Sequence, residues 1–210
     1  MELPERAKAV LTEVSGLMTA EPVETARLLL RPFVESDFPD YFEYAVQPEQ
    51  QRLSGNPAIS TEAEAREAFD GFLPEKCGHP PTHFAVVFKP EGKVVGNFTI
   101  GYYPFLQKDE SLAGKRGVSL SFVLNENYQR RGLMTELLSR ALDYLLGEHG
   151  LDFVNCGFFE FNEGSRRLQE KVGMRHYTEH IYPNGNIRTQ EMILFREEYE
   201  ERRAHDSQRI

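Results

Sequence analysis

The sequence predicts one α/β domain, and three observations carry that reading. The chain has 210 residues, 40% hydrophobic and 27% charged, which suits one sizeable core with terminal extensions and argues against a multidomain machine. Short apolar runs closed by turn residues are interspersed with segments of helical periodicity, in the order β-α-α-β-β-β-α-β-α-β-β. Its two cysteines, Cys77 and Cys156, form no C-x-x-C pair, so neither a disulfide framework nor a zinc ribbon organises the chain.

Each element has its own signal. Ala7, Val10, Leu11, Val14, Leu17 and Met18 recur at helical spacing, so residues 1–21 are expected to form an amphipathic helical extension. The run from Arg27 to Pro32 is short, apolar and stopped by proline, as a first strand would be. Ser36 and Asp37 can cap a helix carrying Phe38, Tyr41, Phe42 and Ala45, and Thr61 with Glu64 has capping-box spacing for a second. The stretch 47–56 between them is left as a connection. His83–Phe88, the turn Pro90-Glu91-Gly92 and Lys93–Ile100 read as a hairpin, and Val118–Leu124 as the next strand.

Leu133, Leu137, Ala141 and Leu145 then make one stripe, with Met134, Leu138 and Leu142 beside it, predicting a helix that ends near Gly147. Phe153–Phe159 reads as a strand, 162–172 as a helix stopped by Gly173, and His176–Tyr182 with Arg188–Phe195 as a closing hairpin. Residues 197–210 are nearly all polar and are expected to be a charged tail or a solvated helix end, which leaves 22–196 as the globular domain.

Charge and hydropathy exclude several functions. Lys plus Arg number 24 against 33 Asp plus Glu, a net charge of −9, opposite to the balance that phosphate neutralisation demands of a nucleic-acid binder. The apolar runs are far shorter than the roughly 20 residues of a membrane span. Charged residues interrupt the first sixteen positions where a signal peptide needs an apolar segment, so a cytoplasmic protein with reduced thiols is expected.

The stretch with most chemical content runs from Val118 to Leu138. A strand leads into a polar loop, and Gln129-Arg130-Arg131-Gly132 opens a strongly apolar helix. Free backbone N–H groups and the helix dipole converge there, Gly132 lets a ligand approach the backbone, and the arginines can add charge-assisted bonds to phosphate oxygens. A solvated arginine pair at an ordinary turn fits the same pattern, and neither a Walker sequence nor G-x-G-x-x-G is present.

The segment Gln129-Arg130-Arg131-Gly132-Leu133-Met134 resembles the acetyl-CoA signature Q/R-x-x-G-x-G/A of the GCN5-related N-acetyltransferase (GNAT) superfamily. Met134 stands where that signature has Gly or Ala, and Gly132-Leu133-Met134-Thr135-Glu136 is similar to the G-L-M-x-E variant of the RimJ/RimL-type branch, the ribosomal-protein N-terminal acetyltransferases. The same branch is resembled at Glu24–Pro32, Gly92–Gly96 and Asn162–Met174, so the likeness covers 22–196 in order.

The resemblance implies a mixed, mostly antiparallel sheet splayed at its centre with helices on both faces. It implies transfer of acetyl from acetyl-CoA, without a metal, to a primary amine by direct attack in a ternary complex. It assigns Phe122, Val123 and Leu124 to the pantetheine arm beside a bulge, and Gln129, Arg130, Arg131, Gly132, Leu133, Met134 and Thr135 to the pyrophosphate. Asn162 matches a cofactor-contacting asparagine and Ser165 the hydroxyl that in some members protonates the departing CoA thiolate. The residues themselves equally suit an N-cap, Asn162, with Ser165 at N3.

Acetyl transfer needs a neutral amine, a polarised carbonyl and an exit for the ammonium proton. Many relatives place an acid at the position matching Ser119, so the base is unassigned here; Glu49, Glu136 and Glu160 each read equally as solvated or helix-stabilising charges. That serine also permits a second reading, a non-catalytic acetyl-CoA sensor of the same fold. Acceptors consistent with the resemblance are a protein N-terminal α-amine or a small-molecule amine such as a polyamine, amino acid or antibiotic, and a homodimer is compatible with it.

Other signals are weaker. His79 with His83 and His176 with His180 stand four apart, but the first pair brackets Pro80-Pro81 and the second lies in a strand, so neither suggests a metal. Tyr102, Tyr103, Pro104 and Phe105 suit a substrate mouth or a core edge, and 47–56 and the tip 182–187 match acceptor-selecting segments of the family.

Overall fold

The computed structural model describes residues 4–54, 58–77, 81–102, 109–182 and 187–207. Tyr103, Pro104, Phe105, His79 and the hairpin tip 183–186 lie outside them. A seven-stranded mixed sheet has the order β1-β2-β3-β4-β5-β7-β6, where the strands are Leu28–Pro32, His83–Phe88, Lys93–Gly101, Gly117–Leu124, Phe153–Phe159, Arg175–Tyr182 and Ile187–Phe195 in chain order. Eight α-helices accompany them among the described residues: α1 Glu5–Ala20, α2 Phe38–Ala45, α3 Pro48–Ser54, α4 Glu62–Asp70, α5 Pro74–Cys77, α6 Leu133–Leu142, α7 Glu163–Lys171 and α8 Arg196–Ser207. No helix among the described residues is long and apolar enough to cross a membrane. The chain condenses into two compact units.

One unit comprises Thr12–Ile100 with Ser121–Leu137. β1 and β2 pair antiparallel from Leu28 with Phe88 to Pro32 with Phe84, and β2 and β3 pair antiparallel with a slip between Val86 and Val87. Val95 is the extra residue, and its carbonyl turns out to accept the Asn125 N–H at 2.7 Å. Gly96 is required here, because a Cβ would stand 2.1 Å from the Val123 carbonyl oxygen. The core gathers Phe33, Phe38, Tyr41, Tyr44, Phe69 and Leu73 against Ala85, Val87 and Val94.

The helices of this unit revise two expectations. Asp37 does not cap α2; its buried carboxylate takes two bonds from the Arg31 guanidinium, at 2.6 and 2.8 Å, and one from the Val34 N–H. A fork-shaped cation outcompetes the helix end for it. The connection 47–56 is helical over α3, since Gln47 and Gln50 find acceptors that hold it in place, described below. The Thr61–Glu64 capping box forms as its spacing predicts, with Glu64 N–H to Thr61 Oγ1 at 3.2 Å and Thr61 N–H to Glu64 Oε2 at 3.0 Å.

The other unit comprises Met1–Leu11, Gly101–Leu120 and Leu138–Ile210. The first half of β4 runs parallel to β5, Gly117 with Phe153 through Leu120 with Cys156, and the register stops there. β5 pairs antiparallel with β7, which pairs antiparallel with the outer strand β6. Leu112, Phe153 and Ile193 form its buried cluster, with Tyr177 and Phe195 against it.

The long helix ends one residue past Gly147, where its periodicity and the glycine predict. α6 widens after Leu142 into a π-helical stretch, Asp143–Glu148, closed by His149 N–H on the Tyr144 carbonyl at 3.0 Å. Gly147 also makes room for Tyr199 of α8, whose hydroxyl would lie 3.0 Å from a Cβ there. That hydroxyl donates to Asp143 Oδ1 at 2.6 Å, so the charged C-terminal segment is a helix seated through a buried tyrosine.

Candidate active site

The loop after β4 is built from hydrogen bonds to its own backbone. Asn125, fully buried, caps a short turn by accepting the Asn127 N–H at 3.0 Å. It also accepts from Gln47 Nε2 at 3.0 Å and donates to Glu43 Oε1 at 2.8 Å, while the Gln47 carbonyl oxygen accepts the Glu126 N–H at 2.9 Å. The loop therefore enters the helix along a set path. Arg130 and Gly132 then take positive φ, 58° and 76°, either side of Arg131. Such alternation turns successive backbone N–H groups to one side and makes a concavity suited to anions.

Arg130, Arg131 and Gly132 are exposed, while Leu133 and Met134 are buried and Thr135 is half-buried. The apolar face of α6 is thus anchored in the core and its open first-turn N–H groups stay at the surface beside two guanidinium groups. Arg131 is held by a 2.7 Å bond from its guanidinium to the Asn127 carbonyl and lies over the Tyr128 ring.

Behind the loop stands a brace that sequence reasoning did not find. Arg27 donates its backbone N–H to Glu136 Oε1 at 3.0 Å and its Nε to Oε2 at 2.7 Å, and reaches the Arg131 carbonyl from Nη1 at 3.1 Å. Glu136 is therefore no free base: burial pushes its carboxyl up, but bonds from Thr25 and Arg27 hold it net below the usual carboxylate range. Glu49 is likewise held low by its bond from Arg52, and Glu160 faces Arg188 at 3.5 Å.

The pantetheine-assigned segment is half-buried at Phe122 and Val123 and buried at Leu124. The Leu124 carbonyl is already occupied, accepting from Gln50 Nε2 at 2.6 Å and from Gln129 Nε2 at 2.9 Å. Gln129 thereby ties the loop back to the strand instead of pointing at a ligand. The unit brings Phe122–Leu124 and Gln129–Thr135 together through these bonds.

Asn162 and Ser165 belong to the other unit. Asn162 caps α7, its Oδ1 accepting the Ser165 N–H at 3.1 Å, so the capping reading of this residue is realised. The Ser165 hydroxyl takes no part in the cap and accepts from Gln169 Nε2 at 2.9 Å.

In the same unit Ser119 is buried and donates to Asn155 Oδ1 at 2.9 Å. Asn155 in turn donates to Glu191 Oε2 at 2.8 Å and to the Met192 carbonyl at 3.1 Å. Glu191 is a buried acid on β7, 1% exposed, whose carboxyl burial pushes up to about 7 against the lowering bond from Asn155. Gly157 leaves space for it, since a Cβ there would meet Glu191 Oε1 at 2.6 Å. His180 lies 3.5 Å from the carboxylate and is pushed down by burial, and the Cys156 thiol is held protonated by burial and by Glu191. Glu191 shares a face of β7 with Ile193, and Met192 and Leu194 on the other face are buried as well, so this stretch of the strand is covered on both sides. Among the described residues no group of three or more metal-binding side chains occurs.

A strand that feeds an anion-receptive loop and an apolar helix, within this mixed sheet, is the architecture of an α/β acetyltransferase. The chain belongs to the acetyltransferase (GNAT) domain family, which matches residues 27–175. It is 25% identical over 166 residues to the uncharacterized N-acetyltransferase YnaD of Bacillus subtilis (strain 168), covering 78% of this chain and 89% of YnaD. Among solved structures, spermidine N-acetyltransferase from Vibrio cholerae, in complex with CoA and spermine, aligns with TM-score 0.63 and 16% identity over 83% of this chain and 99% of its own. RimL, a ribosomal L7/L12 alpha-N-protein acetyltransferase in an apo crystal form, aligns with TM-score 0.64 and 13% identity over 83% and 94%. At these identities the two structures speak for the fold alone, and they act on different amines.

Proposed function

We propose that this protein transfers acetyl from acetyl-CoA to a primary amine by direct attack, as a RimJ/RimL-like member of its family working in the cytoplasm. The observation that carries the reading is the loop 129–132: alternating positive-φ residues, exposed Arg130 and Arg131 and the open first turn of α6 make a seat for a diphosphate. Gln129, Leu133, Met134 and Thr135 shape that seat, Phe122 and Val123 offer backbone to the pantetheine arm, and Leu124 supports both through its occupied carbonyl.

In the reaction the amine lone pair forms an N–C bond to the thioester carbonyl and the carbonyl electrons move to oxygen. The adduct then expels sulfur with the C–S electron pair, the nitrogen loses its proton to solvent, and the thiolate takes one to give free CoA thiol. Ser165 is the proton donor to sulfur and Asn162 holds the turn that carries it. Holding two substrates in line supplies much of the rate, so few side chains need do chemistry.

The acceptor is a protein N-terminal α-amine or a small-molecule amine. The net charge of −9 favours the approach of a cationic acceptor without choosing one. The test is acetyl-CoA-dependent release of CoA thiol over N-terminal peptides, polyamines, amino acids and aminoglycosides with a no-acceptor control. Release that depends on one class supports the reading and names the acceptor chemistry; binding of acetyl-CoA with no release from any class overturns it in favour of a sensor.

A further inference from the structure

The assignment of Ser165 as proton donor rests on the function just proposed, and a neighbouring residue deepens it. Gln169 lies one turn further along α7 and is fully buried. Its Nε2 donates to Ser165 Oγ at 2.9 Å, whereas its Oε1 is buried with no hydrogen-bond partner among the described residues. An unmet buried carbonyl is costly, so leucine or methionine would serve folding at this place at least as well.

The direction of the bond matters. With the amide reversed, the serine would instead donate to Gln169 and its proton would be committed to the helix interior. A serine hydroxyl has one proton and two lone pairs. With one lone pair engaged by Gln169, and the cap made by the Ser165 backbone N–H instead of its hydroxyl, the proton is turned away from the helix interior.

We infer that Gln169 is a positioning residue that holds the Ser165 hydroxyl as a donor toward the departing thiolate. When the C–S bond breaks, the electron pair stays on sulfur, the Ser165 proton passes to it, and the serine oxygen regains a proton from water. Gln169 neither gains nor loses a proton; it keeps the hydroxyl from facing inward.

The test is a double-mutant cycle with Ser165→Ala, Gln169→Met and both, reading kcat, the KM for acetyl-CoA and Tm, together with the pH profile of Gln169→Glu. Gln169→Met is expected to lower kcat by about tenfold, the worth of roughly one hydrogen bond, with KM within about twofold and Tm equal or higher. Added to Ser165→Ala it should cost nothing more. Gln169→Glu should work while its carboxyl is protonated and can still donate, then lose kcat as pH rises and the carboxylate draws the Ser165 proton inward.

A Gln169→Met enzyme with unchanged kcat, a loss that persists in the Ser165→Ala background, or a Gln169→Glu profile parallel to wild type would overturn the positioning role. If Ser165→Ala alone leaves kcat untouched, the donor assignment of Ser165 fails first, a different outcome from failure at Gln169 only.

Discussion

Arg27 and Glu136, 109 residues apart in the chain, are joined by a backbone N–H bond at 3.0 Å and a guanidinium bond at 2.7 Å. The same guanidinium reaches the Arg131 carbonyl, so the residue just before β1 holds the loop in front of α6. The pair is partly exposed, with side chains 41% and 23% accessible, and for stability alone it is worth no more than about 1 kcal/mol. Its leverage is on the loop. Arg27→Lys keeps the charge and loses the fork, so the acetyl-CoA KM should rise about tenfold with kcat nearly unchanged and Tm lowered by only a few degrees. Steady-state kinetics beside thermal melting would check this; equal losses in Tm and affinity would mean that the pair is simply structural.

Gly132 is the conformational key of that loop. Its φ of 76° costs an L-residue about 1–2 kcal/mol, although a Cβ would have room, the nearest atom being Arg27 Nη2 at 3.7 Å. Gly132→Ala should therefore weaken acetyl-CoA modestly, and Gly132→Glu far more, since it adds negative charge where a diphosphate is proposed to sit. Arg131→Ala should weaken binding with a reduced salt dependence. Calorimetric titration at two ionic strengths reads all three, and unchanged affinity in every variant would remove the cofactor from this loop.

The motifs were legible because they answer local physics: Thr61 with Glu64, Asn162 before α7 and the stripes of α6 each follow from spacing along one element. What stayed hidden depends on partners distant in sequence. Nothing in 47–56 shows that Gln47 and Gln50 reach Asn125 and the Leu124 carbonyl. The segments Glu24–Pro32 and Gly132–Glu136 were each recognised, yet their bond through Arg27 and Glu136 is visible only in three dimensions. Glu191 stayed hidden because its strand is buried on both faces, where no alternation of polar and apolar residues marks an inward acid.

Gly96 offers a sharper test of packing. Its missing Cβ would lie 2.1 Å from the Val123 carbonyl oxygen and 3.1 Å from the Leu124 Cα, both backbone atoms that no rotamer change can move. Gly96→Ala should destabilise by about 1–3 kcal/mol or more and disturb Phe122–Leu124. Denaturant unfolding is expected to show a lower midpoint with an unchanged slope, and a Gly96→Ala protein of wild-type midpoint would contradict this close approach.

Glu191 makes stability depend on pH in a direction opposite to that of a salt-bridged acid. Its carboxyl ordinarily titrates near 4.5, and burial raises it to about 7 in the folded protein. Between those values the folded chain holds a proton that the unfolded chain has released, so stability is fully present below about 4.5 and is lost as pH rises toward 7. Above 7 both states are ionised and the loss is constant, on the order of 3 kcal/mol. Glu191→Gln keeps an acceptor for the Asn155 amide and removes the titration. It should be more stable than wild type at pH 8 by an amount of that order, and the gap should narrow as pH falls toward 5. His180, 3.5 Å away and pushed down by burial, works in the opposite sense as pH falls. Urea unfolding of the two proteins at half-unit steps from pH 4.5 to 8 gives that difference directly, and a gap that does not change with pH would mean Glu191 is ionised throughout, its charge compensated by Asn155 and its neighbours.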